Sequence, residues 1–287
     1  MNIFITVLEQ GLIYGILALG VYITYKILDF PDLTVDGSFP LGAAVTAAMI
    51  TKGVNPYLTI FVSFGVGALA GTCTGLIHVK CKVRDLLSGI IMMTALWTIN
   101  LRIAGTANVP IFGEESIFDF SKLSASVYKV LIIILVISIV SKLLLDFYLN
   151  TKSGLLLRAV GDNANVVTSL AKDQGNVKIL GLAIANGLVA LSGCIFCQEQ
   201  RVFEISSGTG AIVIGLASVI IGTSLFKKIR WVNNTTAVLI GAILYKACVA
   251  IALKFFEPQD MKLITAVLFL VILVGSMERK KRVRRNA

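Results

Sequence analysis

Apolar residues gather in nine segments along this chain, at about 3–25, 38–51, 56–78, 86–101, 127–146, 178–197, 208–226, 234–253 and 262–277. Runs of roughly 20 apolar residues are long enough to cross a hydrocarbon core as helices. The second segment is short for a span, and Gly/Ser-rich breaks precede it and the seventh. The pattern predicts an all-α fold: a polytopic transmembrane bundle of about nine spans, with broken helices, forming one membrane domain over residues 1–287. The first run, Ile3 to Tyr25, lacks a basic leading region and a small-residue cleavage site. It reads as a retained span and not a removed signal peptide.

Composition narrows the picture further. The chain is 56% apolar and 15% charged, against roughly a quarter charged in a soluble protein. No large soluble domain fits between the spans. The net charge of +10 raises nucleic acid as a partner, but the placement of the charges excludes it. Basic residues crowd into "RKKRVRRNA" at the end of the tail 278–287. Such a cluster suits anionic headgroups of the lipid bilayer and fixes orientation.

Lys and Arg alternate in density from one connection to the next. Lys26, then Lys80, Lys82 and Arg84, then Lys152, Arg158, Lys172 and Lys178, then Lys227, Lys228 and Arg230, and the tail all fall on one side. The other side holds the sparser set Lys52, Arg102, Lys122, Lys129, Arg201, Lys254 and Lys262, together with the acidic "GEESIFD" and "EQRVFE". The asymmetry predicts a multi-pass protein of a bacterial cytoplasmic membrane with its N-terminus outside and C-terminus inside. Residues 150–177 then form the longest cytoplasmic connection, able to hold a helix of its own.

The cysteines add no metal or redox chemistry. Cys194 and Cys197 form a CxxC inside an apolar run, with no second pair, and His78 is the sole histidine. They read as small apolar residues. Glycines recur every four residues at Gly11 and Gly15, and at Gly67, Gly71 and Gly75. Such stripes admit close helix approach, and packing within one subunit is favoured over a dimer seam.

Four features invite a function. "GLLLRAVGDNANVVTSLAKDQG", residues 154–175, is too polar to span. Gly154 and Gly175 look like breaks, Asp162 or Asn163 like an N-cap, and Val166, Val167, Leu170 and Ala171 like one face of a short helix. A short capped helix of this kind can dock on a cytoplasmic partner. "DFPDLTVDGSFPLGAAVTAAM", residues 29–49, leads from Asp32 and Asp36 into a small-residue helix. Pro40 fits a first helical turn, with Asp36 or Ser38 as cap. This is either a capped loop at the cytoplasmic interface or a broken helix lining a pathway. "EISSGTGAIVIGLASVIIGTS", residues 204–224 and containing Ser207, repeats that design and suggests two related halves around a central path. Lys246 lies deep in an apolar run, where it either snorkels outward or faces the pore. Asn186 and Asn100 read as interhelical glue. The candidate pathway set is Asp32, Asp36, Ser38, Asn186, Ser207 and Lys246.

The 154–175 stretch resembles the cytoplasmic loop of permease subunits from bacterial ABC importers for branched-chain amino acids and ribose-type sugars. The motif is carried by Gly154, Arg158, Ala159, Gly161, Asp162, Asn163 and Gly175, with "AKDQG" replacing the more usual Ala-Gly-Ile run. The resemblance implies a coupling helix seated on an ABC ATPase subunit, with Arg158, Gly161, Asp162, Asn163 and Gly175 as the coupling residues. It implies an extracellular solute-binding (lipo)protein, a second permease copy in a homodimer, and no cofactor in this chain, since ATP and Mg belong to the partner ATPase. Residues 29–49 resemble a subgroup proposed to import tryptophan, tyrosine or related amino acids.

No catalytic constellation is present: no HExxH, no histidines for a Ser/His/Asp set, and no Walker motif. A membrane enzyme is disfavoured. A secondary transporter working without an ATPase would want protonatable residues deep in several spans, where only Lys246 qualifies.

Overall fold

A computed structural model describes residues 3–119, 128–162, 173–227, 232–254, 260 and 263–274. Almost everything described is helical. Helix α1 runs Ile3–Val21 and continues as a π-helical turn, Tyr22–Ile27. Then follow α2 (Val35–Ile50), α3 (Pro56–Val79), α4 (Asp85–Ala104), α5 (Lys129–Leu149), α6 (Lys152–Asp162), α7 (Gln174–Gln200), α8 (Ala211–Leu225), α9 (Asn234–Ala252) and α10 (Leu263–Val274).

Seven helices, counting α1 with its π-turn and α8 with the turn before it, are long and apolar enough to span a membrane. Helices α2 and α10 are shorter apolar helices. The nine apolar segments therefore all become helices among the described residues, seven of full spanning length.

The ends of these helices follow from local chemistry. Asn55 caps α3 by accepting the N–H of Tyr57, with Pro56 at the first helical position, where its missing N–H removes nothing. Gly105 (φ +82°) ends α4, and Arg201, at φ 58°, ends α7. The chain then pairs as a two-stranded antiparallel ribbon, β1 (Asn108–Pro110) with β2 (Val202–Glu204). It closes the end of the bundle opposite the basic connections.

Helices α1 and α7 form the axis of the bundle and are mostly buried. Against α7 pack α3, α2 and α1; against α1 pack α9, α8 and α5. The glycine stripes make two close seams. A Cβ on Gly67 would sit 2.5 Å from the Asn186 oxygen, and one on Gly71 would sit 2.1 Å from that of Leu182, so α3 rests backbone to backbone on α7. On α9, Gly11 meets the Ile243 backbone and Gly15 the Leu239 side chain. These stripes are intrachain packing. In contrast, α3 and α5 turn Phe61, Leu69, Leu144 and Phe147 outward, each more than 60% exposed. Large apolar side chains on an outer rim suit lipid and not water.

Cys194 and Cys197 are buried and free, and no His/Cys/Asp/Glu group with metal-ligand geometry occurs among the described residues.

Candidate functional site at the facing starts of two helices and the polar end of the bundle

Between the π-turn and α2 the chain is not helical, and its polar groups must find partners inside the bundle. Asp32, 1% exposed, accepts the Thr34 N–H at 2.9 Å and the Asn186 amide N–H at 2.7 Å. Asn186 in turn accepts the Ser38 hydroxyl at 2.7 Å, and its Nδ2 also reaches the Leu182 carbonyl. Thr34 and Thr74 exchange a hydroxyl bond at 2.9 Å. Buried polar groups are tolerated when so bonded. One network thus ties the break, α2, α3 and α7 together. Three of the pathway candidates, Asp32, Ser38 and Asn186, meet in it, and Asn186 serves as the interhelical glue expected of it.

Asp36 does something else. It lies in the first turn of α2, yet its carboxylate accepts the N–H groups of Gly210 (3.0 Å) and Ile212 (2.8 Å). Asp36 therefore caps α8 and not its own helix. The residue at the start of α2 is Thr34, with no side-chain cap bond. The expectation that Asp36 or Ser38 caps α2 is corrected accordingly. Pro40 is likewise not in the first turn but inside α2. It gives no N–H to the Asp36 carbonyl, and Gly208 fills the space beside both; a Cβ there would lie 2.2 Å from that oxygen and 2.5 Å from Pro40 Cδ. The two broken helices thus face each other start to start, their N-terminal ends sharing one carboxylate, as helix dipoles favour.

Two groups beside this junction lack partners. The Ser207 hydroxyl and the Asn100 Oδ1 are buried without a hydrogen bond, while the Asn100 amide donates to the Gly37 carbonyl at 3.1 Å. Lys246 does not snorkel. It is 6% exposed, with Nζ 3.6 Å from the centre of the Tyr14 ring. No carboxylate lies within ion-pair distance of it among the described residues, so the ring face takes the place of a counter-ion. Tyr14 stacks on Phe39, and both meet Phe196.

At the basic end, "KSGLLLRAVGD" is one helix, α6, and not a loop. Gly154 lies in its first turn, with Tyr148 and Leu149 backbone against it. Gly175 lies in the first turn of α7, so neither glycine is a break. The cap of α7 is Asp173, accepting the Gly175 N–H at 2.8 Å. An Asp just before a long apolar run is a start signal that the sequence carried. Gly161 touches the end of the α1 π-turn: a Cβ there would stand 1.7 Å from the Ile27 oxygen. Asp162 is the last residue of α6, and Arg158 is exposed one turn earlier. Asn163 and the expected short helix after it lie outside the described residues.

The sequence relationships place this architecture in a family. Residues 3–275 match the family described as the permease component of branched-chain amino acid transport systems. The chain belongs to that family: it is the membrane-spanning permease subunit of an ABC importer, and ATP hydrolysis is the task of a separate subunit. Over 270 residues it is 42% identical to the tyrosine transport system permease protein of Clostridioides difficile, covering 94% of this chain and 90% of that one. It is 28% identical to the probable branched-chain amino acid transport permease LivH of Methanocaldococcus jannaschii, covering 72% and 70%. It is 26% identical to the ribose import permease RbsC of Haemophilus influenzae, covering 84% and 74%. No solved structure matches it significantly.

Proposed function

We propose that this permease imports an aromatic amino acid, tyrosine or a close relative. The observation that carries this is the 42% identity, over 94% of the chain, with a tyrosine transport permease. Two copies form the pathway between them, an extracellular solute-binding (lipo)protein delivers the solute, and two ATPase subunits bind ATP and Mg beneath. The N-terminus lies outside and the C-terminus inside, as the density of Lys and Arg at one end of the bundle supports.

The pathway runs past the facing starts of α2 and α8. Ser207, with its unbonded hydroxyl, offers the solute a polar contact. Asp32, Ser38 and Asn186 hold the α2 start in place, Asp36 holds the α8 start, and Lys246 places its amine on the face of Tyr14 in the aromatic cluster. Coupling to the ATPase rests on Arg158, Gly161, Asp162, Asn163 and Gly175. The close seat of Gly161 on Ile27 supports a rigid link from α6 to α1.

The test is a thermal-shift screen of the cognate binding protein against the amino acids, followed by uptake of the stabilising one by the reconstituted complex. Stabilisation by aromatic amino acids alone is expected. Stabilisation by a sugar, or by leucine in preference to tyrosine, would overturn the assignment.

A further inference from the structure

A cavity of about 520 Å³ opens at the basic end of the bundle, where α1, α5, α6 and α9 meet. That size is in the range of small-molecule sites. Its walls include Tyr22, Lys26, Asp146, Arg158 and Asp162, with Asn233–Thr235 along one edge.

Its two cations form no ion pair with its two carboxylates among the described residues. Asp146 is already engaged, by Lys142 at 2.9 Å and by the Thr235 hydroxyl at 2.6 Å. Asp162 lies one turn from Arg158 on α6 but makes no ion pair with it among the described residues. Lys26 and Arg158, from different elements, are both exposed and have no acidic partner within 4.0 Å among the described residues. Lys26 and Arg158 thus line the cavity without an ion-pair partner among the described residues, beside the carboxylates of Asp146 and Asp162.

The local backbone is arranged to put one of them there. Tyr22 and Lys26 both belong to the π-helical turn. In a wider π-turn, residues four and five apart share a face more closely than in an α-helix, and such turns concentrate at functional sites. Depth identifies the occupant. The cavity is bounded by Ile27, Leu149 and Asn234, each the last or first residue of a spanning helix. It therefore sits at the boundary between hydrocarbon and headgroups.

We propose that this cavity binds the phosphate of an anionic phospholipid from the cytoplasmic leaflet, held by Lys26 and Arg158. The choice of leaflet rests on the orientation proposed above; the anion site itself does not.

The probe is phosphatidylglycerol against phosphatidylcholine, scored by native mass spectrometry of lipids retained on the purified full-length permease. The basic tail is present in every sample and cancels in the comparison. Each basic contact near an anionic surface is worth about a five-fold preference. Wild-type protein should therefore retain phosphatidylglycerol preferentially, Lys26→Gln should lower the preference about five-fold, and Lys26→Gln with Arg158→Gln should lower it further. Lys26→Arg should restore it, which separates loss of charge from misfolding. An unchanged preference in the folded Lys26→Gln protein would overturn the site. So would full displacement of the lipid by glycerol phosphate, which would indicate a soluble anion. Unchanged lipid retention with weakened ATPase association would assign the anion to the partner subunit and overturn the lipid reading too.

Discussion

Gly161 of α6 lies so close to Ile27 at the end of α1 that a β-carbon would come within 1.7 Å of the Ile27 oxygen. No rotamer relieves that clash, because the backbone fixes the β-carbon and its partner is a backbone oxygen. Gly161→Ala or Gly161→Val must push α6 away from α1, and overpacking of this kind costs about 1–3 kcal/mol. Because the contact is local, insertion should survive. Solute-stimulated ATP hydrolysis by the complex in lipid should fall about ten-fold or more, the factor that a shift of 1.4 kcal/mol in an equilibrium gives. Wild-type stimulation in Gly161→Val would remove α6 from the coupling path.

Asp32→Ala leaves the Thr34 N–H and one N–H of the Asn186 amide buried without an acceptor, the other still donating to the Leu182 carbonyl. Each such group costs about 1–3 kcal/mol. Melting of the purified permease should drop by several degrees, and Ser38→Ala, which removes one donor from Asn186, should cost less. A melting temperature unchanged in Asp32→Ala, with uptake abolished, would mean that Asp32 acts on the solute directly.

Asp36→Ala removes the cap of α8 and should cost about 1–2 kcal/mol. Asp36→Asn keeps one acceptor oxygen and should recover about half of that, judged by thermal melting. Equal losses in the two variants would show that charge, and not the two N–H bonds, is what α8 needs.

Orientation is tested by single cysteines in a cysteine-free background. Phe112→Cys, on the exposed face beyond β1, should react with an impermeant thiol reagent in intact cells. Asn165→Cys and Asn286→Cys should be shielded until the cells are opened. Labelling of either from outside would reverse the assignment.

At the same end as Phe112, Arg201 holds Asp119 through two bonds of 2.7 Å. Partial burial would raise the Asp119 pKa, but the bonds from Arg201 and Ser116 outweigh it and set it below the ordinary value. A lowered folded pKa stabilises above the unfolded value, near about 4, and that contribution is lost as pH falls through the folded pKa. Asp119→Asn should therefore melt below wild type at neutral pH, and the two curves should converge in acid below about pH 4. The pair is half exposed, so salt should shrink the difference. A constant gap across that pH range would place the effect elsewhere.

Much of this architecture was legible in the chain. The apolar segments gave the helices because a bilayer demands long apolar runs whatever packs beside them. The charge pattern marked the basic end for a similar reason. What the sequence hid were choices made by distant partners. Asp36 sits 176 positions from the Ile212 N–H that it caps, and a backbone donor leaves no signature in the sequence. "RAVGD" carries the glycine and aspartate that usually end helices, yet it stays helical, packed against α7, α5 and the end of α1. The first span reads as ending near Tyr25, but helical hydrogen bonding continues through a π-turn to Ile27, which composition cannot distinguish from an α-turn.

The carboxylate of Asp36 also acts as a rivet between the two halves of the chain. It joins the beginning of one broken helix to the beginning of the other with two bonds, and Gly208 leaves almost no clearance beside it. Those two ends have little freedom to slide or swing relative to one another. In any cycle that exposes the solute first to one side of the membrane and then to the other, they travel as one piece. The compliance must come from the rest of the chain or from its seams with partner subunits, so the α2–α8 junction is the fixed frame against which the moving parts of this importer are measured.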